Sequence, residues 1–315
     1  MITHSKVSIF EVGTNSLRVY LCDVYANKYR IFKKLRYPIR LGKDVFSYKK
    51  ITDDTLHQLI CHILNAQFNA KQNSVGKSFA IATSALRSCT NRLDSIETLK
   101  QKTGLNIRVI SGEDEAKLVL LAVKDVHKIN LEDPTLLIDL GGGSTEIVFA
   151  EKCQVKVSES FPIGALRYLS HKKEFDLIQQ ISKDTDTIIE KLKLKDQNIQ
   201  KAIGLGGNFR RIGKMNSLYC NGENPSSINR TDIESVLTLI QRYSFYERIK
   251  HLGLRQDRAD VILPATFFIH TLLEKLSIDE LNLPKLSIID GLIFLISQNP
   301  SIRSLSDLPF FNVKS

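Results

Sequence analysis

The sequence predicts an α/β protein built from two related domains, and three observations carry that expectation. Two stretches, 8–20 and 136–150, share one layout of apolar strand, acidic residue, glycine turn, hydroxyl and apolar strand. Short apolar runs alternate along the chain with segments whose apolar residues recur at i, i+3 and i+4, the pattern of buried strands and amphipathic helices. At 315 residues the chain exceeds one ordinary core, and it fits two domains of roughly 120 to 190 residues.

The second of the two stretches is the more informative. Leu136-Leu137-Ile138 forms a buried strand, Ile147-Val148-Phe149-Ala150 begins another, and Asp139-Leu140-Gly141-Gly142-Gly143-Ser144-Thr145-Glu146 lies between them. Three consecutive glycines put no Cβ between the main chain and a ligand, so several N–H groups can converge on one anion. Ser144 and Thr145 add hydroxyl donors. Asp139 and Glu146 bracket the turn, and carboxylates beside a phosphate cradle suit a bridging Mg²⁺. The first stretch repeats the layout: Glu11 matches Asp139, Gly13 matches Gly141, and Ser16 matches Ser144, with Asn15 in the turn. Two copies of such a unit point to an internal duplication.

Taken in order, the first hairpin runs on through 19–24 into 29–43, which is strand-like and strongly basic. A helix opens at Ile51-Thr52 with Leu56, Leu59, Ile60, Ile63, Leu64 and Phe68 facing inward. Gly76-Lys77-Ser78 looks like the end of a P-loop, but Lys71 stands where that motif needs glycine, so it is a decoy. Phe79-Ala80-Ile81-Ala82 is a buried strand leading through Thr83-Ser84-Ala85-Leu86-Arg87 into a helix. Arg87 is there equally readable as a surface residue or as a forked donor for phosphate. After strand 107–110, Ser111 caps a helix with Asp114 in a capping box. Glu115 shares a face with Leu118, Val119 and Ala122, so it points inward, while Glu113 and Asp114 are solvated. Beyond the central hairpin come a turn at 161–164 and a helix over 174–195 with Ile178, Ile181, Ile188, Ile189 and Leu192 inward. A strand, glycine turn and helix follow over 202–210. Its Gly206 and Gly207 can approach a phosphate, although Phe209 breaks the dinucleotide fingerprint. Thr231 and Glu234 cap a further helix, residues 258–276 form a long one kinked at Pro264, and 286–296 closes the fold. With no low-complexity linker, the boundary is expected near Lys128, giving domains 1-128 and 129-315.

The chain carries 44 Lys+Arg against 34 Asp+Glu, a net of +10, and 1-128 alone holds 21 against 11. The whole excess therefore belongs to the first domain, a field that attracts polyanions. No RRM, zinc-finger or helix-turn-helix pattern accompanies it, so an inorganic polyanion suits it as well as nucleic acid. The five cysteines form no CxxC and the seven histidines no metal-binding spacing. No apolar run reaches the ~20 residues of a membrane span, and no signal-peptide pattern is present, so the expected location is the cytoplasm.

These residues resemble the exopolyphosphatase and guanosine pentaphosphate phosphohydrolase (Ppx/GppA) family in its short two-domain form. The resemblance runs through Glu11 to Ser16, Arg40-Leu41-Gly42, Ala82 to Arg87 with Asn91, Val109 to Ala116, Ile138 to Glu146, Gly204 to Gly207 and Arg258-Ala259-Asp260-Val261. It implies two ribonuclease-H-like domains of the actin, Hsp70 and sugar-kinase superfamily, with an interdomain cleft. It further implies that Glu115 orients and deprotonates the attacking water, and that Asp139, Glu146 and Glu11 associate with Mg²⁺. Gly13, Asn15 and Ser16, with Gly141, Gly142, Gly143, Ser144 and Thr145, would cradle phosphate, and Arg87 would contact the phosphate chain. The implied reaction removes the terminal phosphate of inorganic polyphosphate, with pppGpp as the alternative substrate and a non-catalytic polyphosphate or nucleotide sensor as the alternative role. A homodimer is implied, and neither a nucleic-acid nor a membrane partner. Position 11 and the stretch 293–295 depart from the family. Glu11 replaces its usual aspartate, moving the carboxylate outward by ~1.5 Å, and Ile293-Phe294-Leu295 stands where Arg-Glu-Gly is frequent.

Overall fold

The computed structural model describes residues 4–170, 173–220, 222, 224–299 and 301–311. Two compact units emerge, Met1–Ala122 with Ile288–Ser315, and Val123–Ser287. The first contains β1 (Ser5–Val12), β2 (Ser16–Tyr25), β3 (Lys28–Pro38), α1 (Leu41–Tyr48), α2 (Asp53–Gln72), β4 (Lys77–Ala82), α3 (Ser84–Ser88), α4 (Arg92–Thr103), β5 (Ile107–Val109) and α5 (Gly112–Leu121). The second contains β6 (Thr135–Leu140), β7 (Thr145–Glu151), β8 (Gln154–Phe161), α6 (Glu174–Lys191), β9 (Lys201–Leu205), α7 (Gly206–Tyr219), β10 (Ser227–Asn229), α8 (Arg230–Gln241), α9 (Phe245–Leu252), α10 (Gln256–Ala259), α11 (Ile262–Lys275) and β11 (Glu280–Asn282). The chain then returns to the first unit in α12 (Ile288–Gln298).

Each unit is an α/β domain with a mixed sheet of ribonuclease-H-like order. In the first the order is β3-β2-β1-β4-β5, with β1 antiparallel to β2, β2 antiparallel to β3, and β4 and β5 parallel to β1. The second reads β8-β7-β6-β9-β11-β10, with the same two antiparallel and two parallel pairings before an antiparallel edge strand. The duplication read from two turns therefore extends to whole sheets.

In the first unit one face of the sheet carries Phe10, Val12, Leu17, Val19 and Leu21, which pack with Leu59, Ile63, Ala66 and Ala70 of α2 and Leu99 of α4. Strand alternation sends Ile9, Glu11, Arg18 and Tyr20 to the opposite face. On that side α12 packs against α5 and against β1, β2 and β3. Gly291 of α12 meets the Leu118 backbone so closely that no Cβ would fit. Tyr29 donates to Asp290 (3.0 Å), and Arg108 donates to the Phe311 carbonyl (2.7 Å) while lying over its ring.

These contacts explain the main difference from the expected division at 1-128 and 129-315. The apolar face of α12 buries Ile288, Ile289, Leu292, Ile293 and Ile296, and its partners are elements of the first unit, far away in sequence. Ile293 is thus a core side chain. Counted on the observed units, the first holds 21 Lys+Arg and 12 Asp+Glu, net +9, and the second 23 and 22, net +1. The charge asymmetry survives the new boundary.

Smaller differences have local causes. Residues from Leu41 form a helix rather than extending the basic strand, because Arg40 adopts a left-handed conformation (φ 52°) that turns the chain. Leu64, Phe68 and Ile178 are exposed, since α2 and α6 bury narrower stripes than their apolar residues suggest. The helix at 230 is capped by Asn229 with Asp232, not by Thr231 with Glu234. The long helix over 258–276 is instead two, α10 and α11, broken at Asp260-Val261; Pro264 falls in the first turn of α11, where the missing N–H costs nothing and no kink follows. Among the described residues no helix is long and apolar enough to cross a membrane.

Candidate active site

In the second unit the glycine turn is held by its carbonyls. Gly141 N–H donates to Ser144 O (2.9 Å), closing the turn. The Gly141 and Gly142 carbonyls accept from Ala165 and Leu166 N–H (3.1 and 2.9 Å), and the Gly143 carbonyl accepts from Arg167 Nε (2.6 Å). Three consecutive carbonyls of the turn are thus held by donors from 165–167. Gly164 makes this possible: a Cβ there would lie 2.5 Å from Gly143 N and 2.6 Å from Gly142 O. Thr145 donates to the Ile163 carbonyl (2.7 Å), so its hydroxyl fastens the same segment. Ser144 is buried at the turn.

The first unit repeats two of these bonds, the one that closes the turn and the one to its second carbonyl, and holds the third carbonyl differently. Gly13 N–H donates to Ser16 O (3.1 Å), Gly42 N–H to Thr14 O (2.9 Å), and Ile39 and Arg40 N–H both to Asn15 O (3.4 Å). Here again the segment that follows the third strand fixes the turn. Pro38-Ile39 matches Pro162-Ile163 at the start of that segment, and left-handed Arg40 stands where the second unit has Gly164. Ser16, 2 % exposed, has an Oγ with no protein partner, which suits a hydroxyl kept for a ligand.

The carboxylates beside the two turns differ. Asp139 and Glu146 are direct partners in the β6–β7 ladder, and Glu146 Oε1 accepts from Ser160 Oγ (2.9 Å). Like charges directly opposite one another are destabilising, and a divalent cation relieves them. Mg²⁺ is commonly held by one or two carboxylates together with the phosphates of a substrate. The equivalent ladder pair in the first unit is Glu11 and Arg18. Glu11, 5 % exposed, accepts from Arg18 Nη1 at both oxygens (2.9 and 3.1 Å) and from Tyr20 OH (3.4 Å). Among the described residues no cluster of three or more His, Cys, Asp or Glu is arranged to hold a metal. The second unit's pair therefore fits Mg²⁺, whereas Glu11 is engaged by a side-chain cation.

Glu115 is 6 % exposed on the first turn of α5, whose Ser111–Asp114 capping box forms as the spacing indicates. Its Oε1 accepts from Arg87 Nη1 (2.6 Å), which also donates to the Ile110 carbonyl (2.9 Å). Arg87 and Glu115 are thus brought together within one unit, fixing the carboxylate's orientation with a charge-assisted bond. Such a carboxylate can hold and polarise a water.

Gly206 and Gly207 open α7, and what approaches them is side chain. Gly206 has φ 90°, and a Cβ there would lie 2.7 Å from Asp139 Oδ1; one at Gly207 would lie 2.7 Å from Arg258 Nη2. Arg258 donates to Asn208 Oδ1 (2.9 Å), and Asn208 donates to the Leu140 carbonyl (2.9 Å). This chain of bonds runs from α10 to the strand that enters the glycine turn. The residue pattern alone missed Gly164, Arg167, Asn208, Arg258 and Arg18. The repeated Pro-Ile after the third strand signals the first of these, and the hairpin register signals the last.

A family model described as the Ppx/GppA phosphatase family matches residues 23–299. The chain belongs to that family. Membership makes this Ppx/GppA protein a phosphoanhydride hydrolase. Among curated relatives, exopolyphosphatase 1 of Mycobacterium tuberculosis is 22% identical over 305 residues, covering 91% of this chain and 87% of its own. Among solved structures, an exopolyphosphatase from Cytophaga hutchinsonii superposes with a TM-score of 0.83 at 21% identity, covering 93% of this chain and 98% of its own. The Ppx/GppA family member of Aquifex aeolicus gives 0.75 at 21% identity, covering 95% and 100%. At such identities the structures establish the fold that this Ppx/GppA chain shares.

Proposed function

We propose that this Ppx/GppA phosphatase is a cytoplasmic exopolyphosphatase, which removes the terminal phosphate of inorganic polyphosphate by attack of water. One observation carries the reading: each unit holds a glycine turn closed by the same Gly N–H to Ser O bond, so the chain offers two phosphate cradles. The net charge of +9 on the first unit adds attraction for a long polyanion over a nucleotide.

In this mechanism the Gly142, Gly143 and Ser144 amides orient the terminal phosphoryl group and spread its charge. Glu115, held by Arg87, takes the proton of the attacking water. Mg²⁺, held by Asp139 and Glu146, would supply neutralisation of phosphate charge. Positioning and neutralisation are most of what phosphoryl transfer needs from a protein. The test is phosphate release from long polyphosphate and from pppGpp, with and without Mg²⁺. Release from the polymer, weakened by added salt as screening requires, supports the proposal. Release from pppGpp alone would establish the nucleotide phosphatase, and binding of either without release would establish a sensor.

A further inference from the structure

Helix α2 turns an uncharged face to solvent. Between Asp54 and Lys71 it contains no Asp, Glu, Lys or Arg, in a chain that is 25% charged. Its inner side is accounted for, since Leu59, Ile63, Ala66 and Ala70 lie in the core of the first unit. The outer side carries Asp54, His57, Cys61, Leu64, Phe68 and Lys71, all exposed, with Leu64 at 45% and Phe68 at 61%. The neighbouring α4 shows the ordinary alternative, a solvent side bearing Asp94, Glu97, Lys100 and Lys102. Loss of charge together with exposed aromatic and aliphatic side chains is the mark of a surface that meets another protein.

The six outer residues follow one another at intervals of 3, 4, 3, 4 and 3, the a/d spacing of a helix that packs along a second helix. They extend over about 26 Å at 1.5 Å per residue. Their order is complementary to its own reverse. Against a second α2 running the opposite way, with a two-fold axis between Cys61 and Leu64, an a position meets a d position in every layer. Cys61 of one copy then meets Leu64 of the other, His57 meets Phe68, and Asp54 meets Lys71. The central layers are apolar and the outermost are ion pairs, the apolar core and polar rim of a protein interface. A parallel copy would instead set Asp54 against Asp54 and Lys71 against Lys71.

We propose that the outer face of α2 is a contact between two copies of this chain, packed antiparallel about a two-fold axis. The homodimer implied by the family resemblance leaves its interface unassigned, and this face supplies one that lies wholly within the first unit. The inference rests on neither the phosphate cradles nor the identity of the substrate. One helix face is small beside the roughly 1,600 Å² of a standard interface, so the dimer is concentration-dependent.

The test is sedimentation equilibrium of the full chain, with reductant present to exclude disulfide-linked species. At about 0.15 M salt, charges more than about 8 Å apart are screened, so the net +10 of each chain opposes association weakly. With rising concentration, wild type is expected to move from 35.7 kDa toward twice that mass. Leu64→Asp, at the centre, should hold the chain monomeric throughout. Asp54→Lys and Lys71→Asp each set like charges opposite one another twice per dimer, and each should weaken association by about tenfold. The double swap restores both pairs in reverse and should return to within about threefold of wild type. Circular dichroism of each variant confirms that the fold is kept. A wild type that stays at 35.7 kDa at every concentration would overturn the proposal and leave the face to a different protein. A dimer undisturbed by Leu64→Asp would place the interface elsewhere, and failure of the double swap to rescue the single variants would overturn the antiparallel arrangement. Absence of phosphate release from a chain that dimerises as expected would instead count against the hydrolase reading alone.

Discussion

Gly164→Ala is the substitution that addresses the glycine turn most selectively, because residue 164 touches it only through its missing side chain. The added Cβ would lie 2.5 Å from Gly143 N, and ordinary contact begins at 3.4 Å. The turn or the 163–166 segment must therefore yield by about 0.9 Å, both being backbone with no flexible end to give way. Overpacking of this kind costs about 1–3 kcal/mol, or a fall in Tm of about 2–12 °C for a unit of this size. A displacement near 1 Å in a positioning element costs on the order of a hundredfold in rate. The expected outcome is a folded variant, by far-ultraviolet circular dichroism, with kcat for phosphate release reduced about a hundredfold. Gly76→Ala is the control, since a Cβ there meets nothing within 4 Å, and it should match wild type. A Gly164→Ala protein with wild-type kcat would refute the claim that the turn's backbone position controls the reaction.

Four further outcomes follow from the coordinates. Arg248, buried and donating to the Ile240 and Ala259 carbonyls, should cost the second unit about 3 kcal/mol when changed to Met, read from urea unfolding. Arg87→Met should lower kcat by about tenfold to a hundredfold with little change in the binding of polyphosphate, because it releases Glu115 rather than the substrate; an effect confined to KM would show Arg87 to be a phosphate contact instead. Burial, aided by Asp290, pushes the Cys22 thiol up to about 12, so at pH 8 an aromatic disulfide reagent should modify the exposed Cys61 and Cys153 rapidly and Cys22 only after unfolding. Burial raises the Asp44 carboxyl, but the hydrogen bonds from the Thr52 side chain and backbone outweigh it and leave it below the ordinary range. A depressed folded value stabilises above the unfolded pKa of about 3.9 and is lost as pH falls through the folded one. Asp44→Asn should accordingly be less stable at pH 6 and show a flatter decline between about pH 4 and pH 2.

What could be read without coordinates was what depends on neighbours in sequence. The two hairpins, their repeated layout, the capping box before Glu115 and the sheet strands are all set by short-range pattern. The acid and base at 11 and 18 were also within reach, because a turn closed from Gly13 to Ser16 forces those two positions opposite one another. The return of α12 to the first unit was not, since it depends on Gly291 meeting Leu118 across more than half the chain. Nor was the Arg258–Asn208–Leu140 path, whose members come from three elements. At Gly206 and Gly207 the side chains that come close are those of Asp139 and Arg258, which no pattern around the two glycines signals. Arg40 explains the misread start of α1, because an arginine in a left-handed conformation gives no warning of the kind glycine gives.

In the proposed mechanism the Glu115 carboxylate takes the proton of the attacking water during phosphate release. The direct measurement is single-turnover phosphate release from end-labelled polyphosphate by wild type and Glu115→Gln, with polymer binding followed on the same samples. Glutamine keeps the size and the bond to Arg87 while losing the base, so the chemical step should slow by about 10²–10⁴-fold at unchanged affinity. Release from the variant within about threefold of wild type would place the proton transfer on some other group.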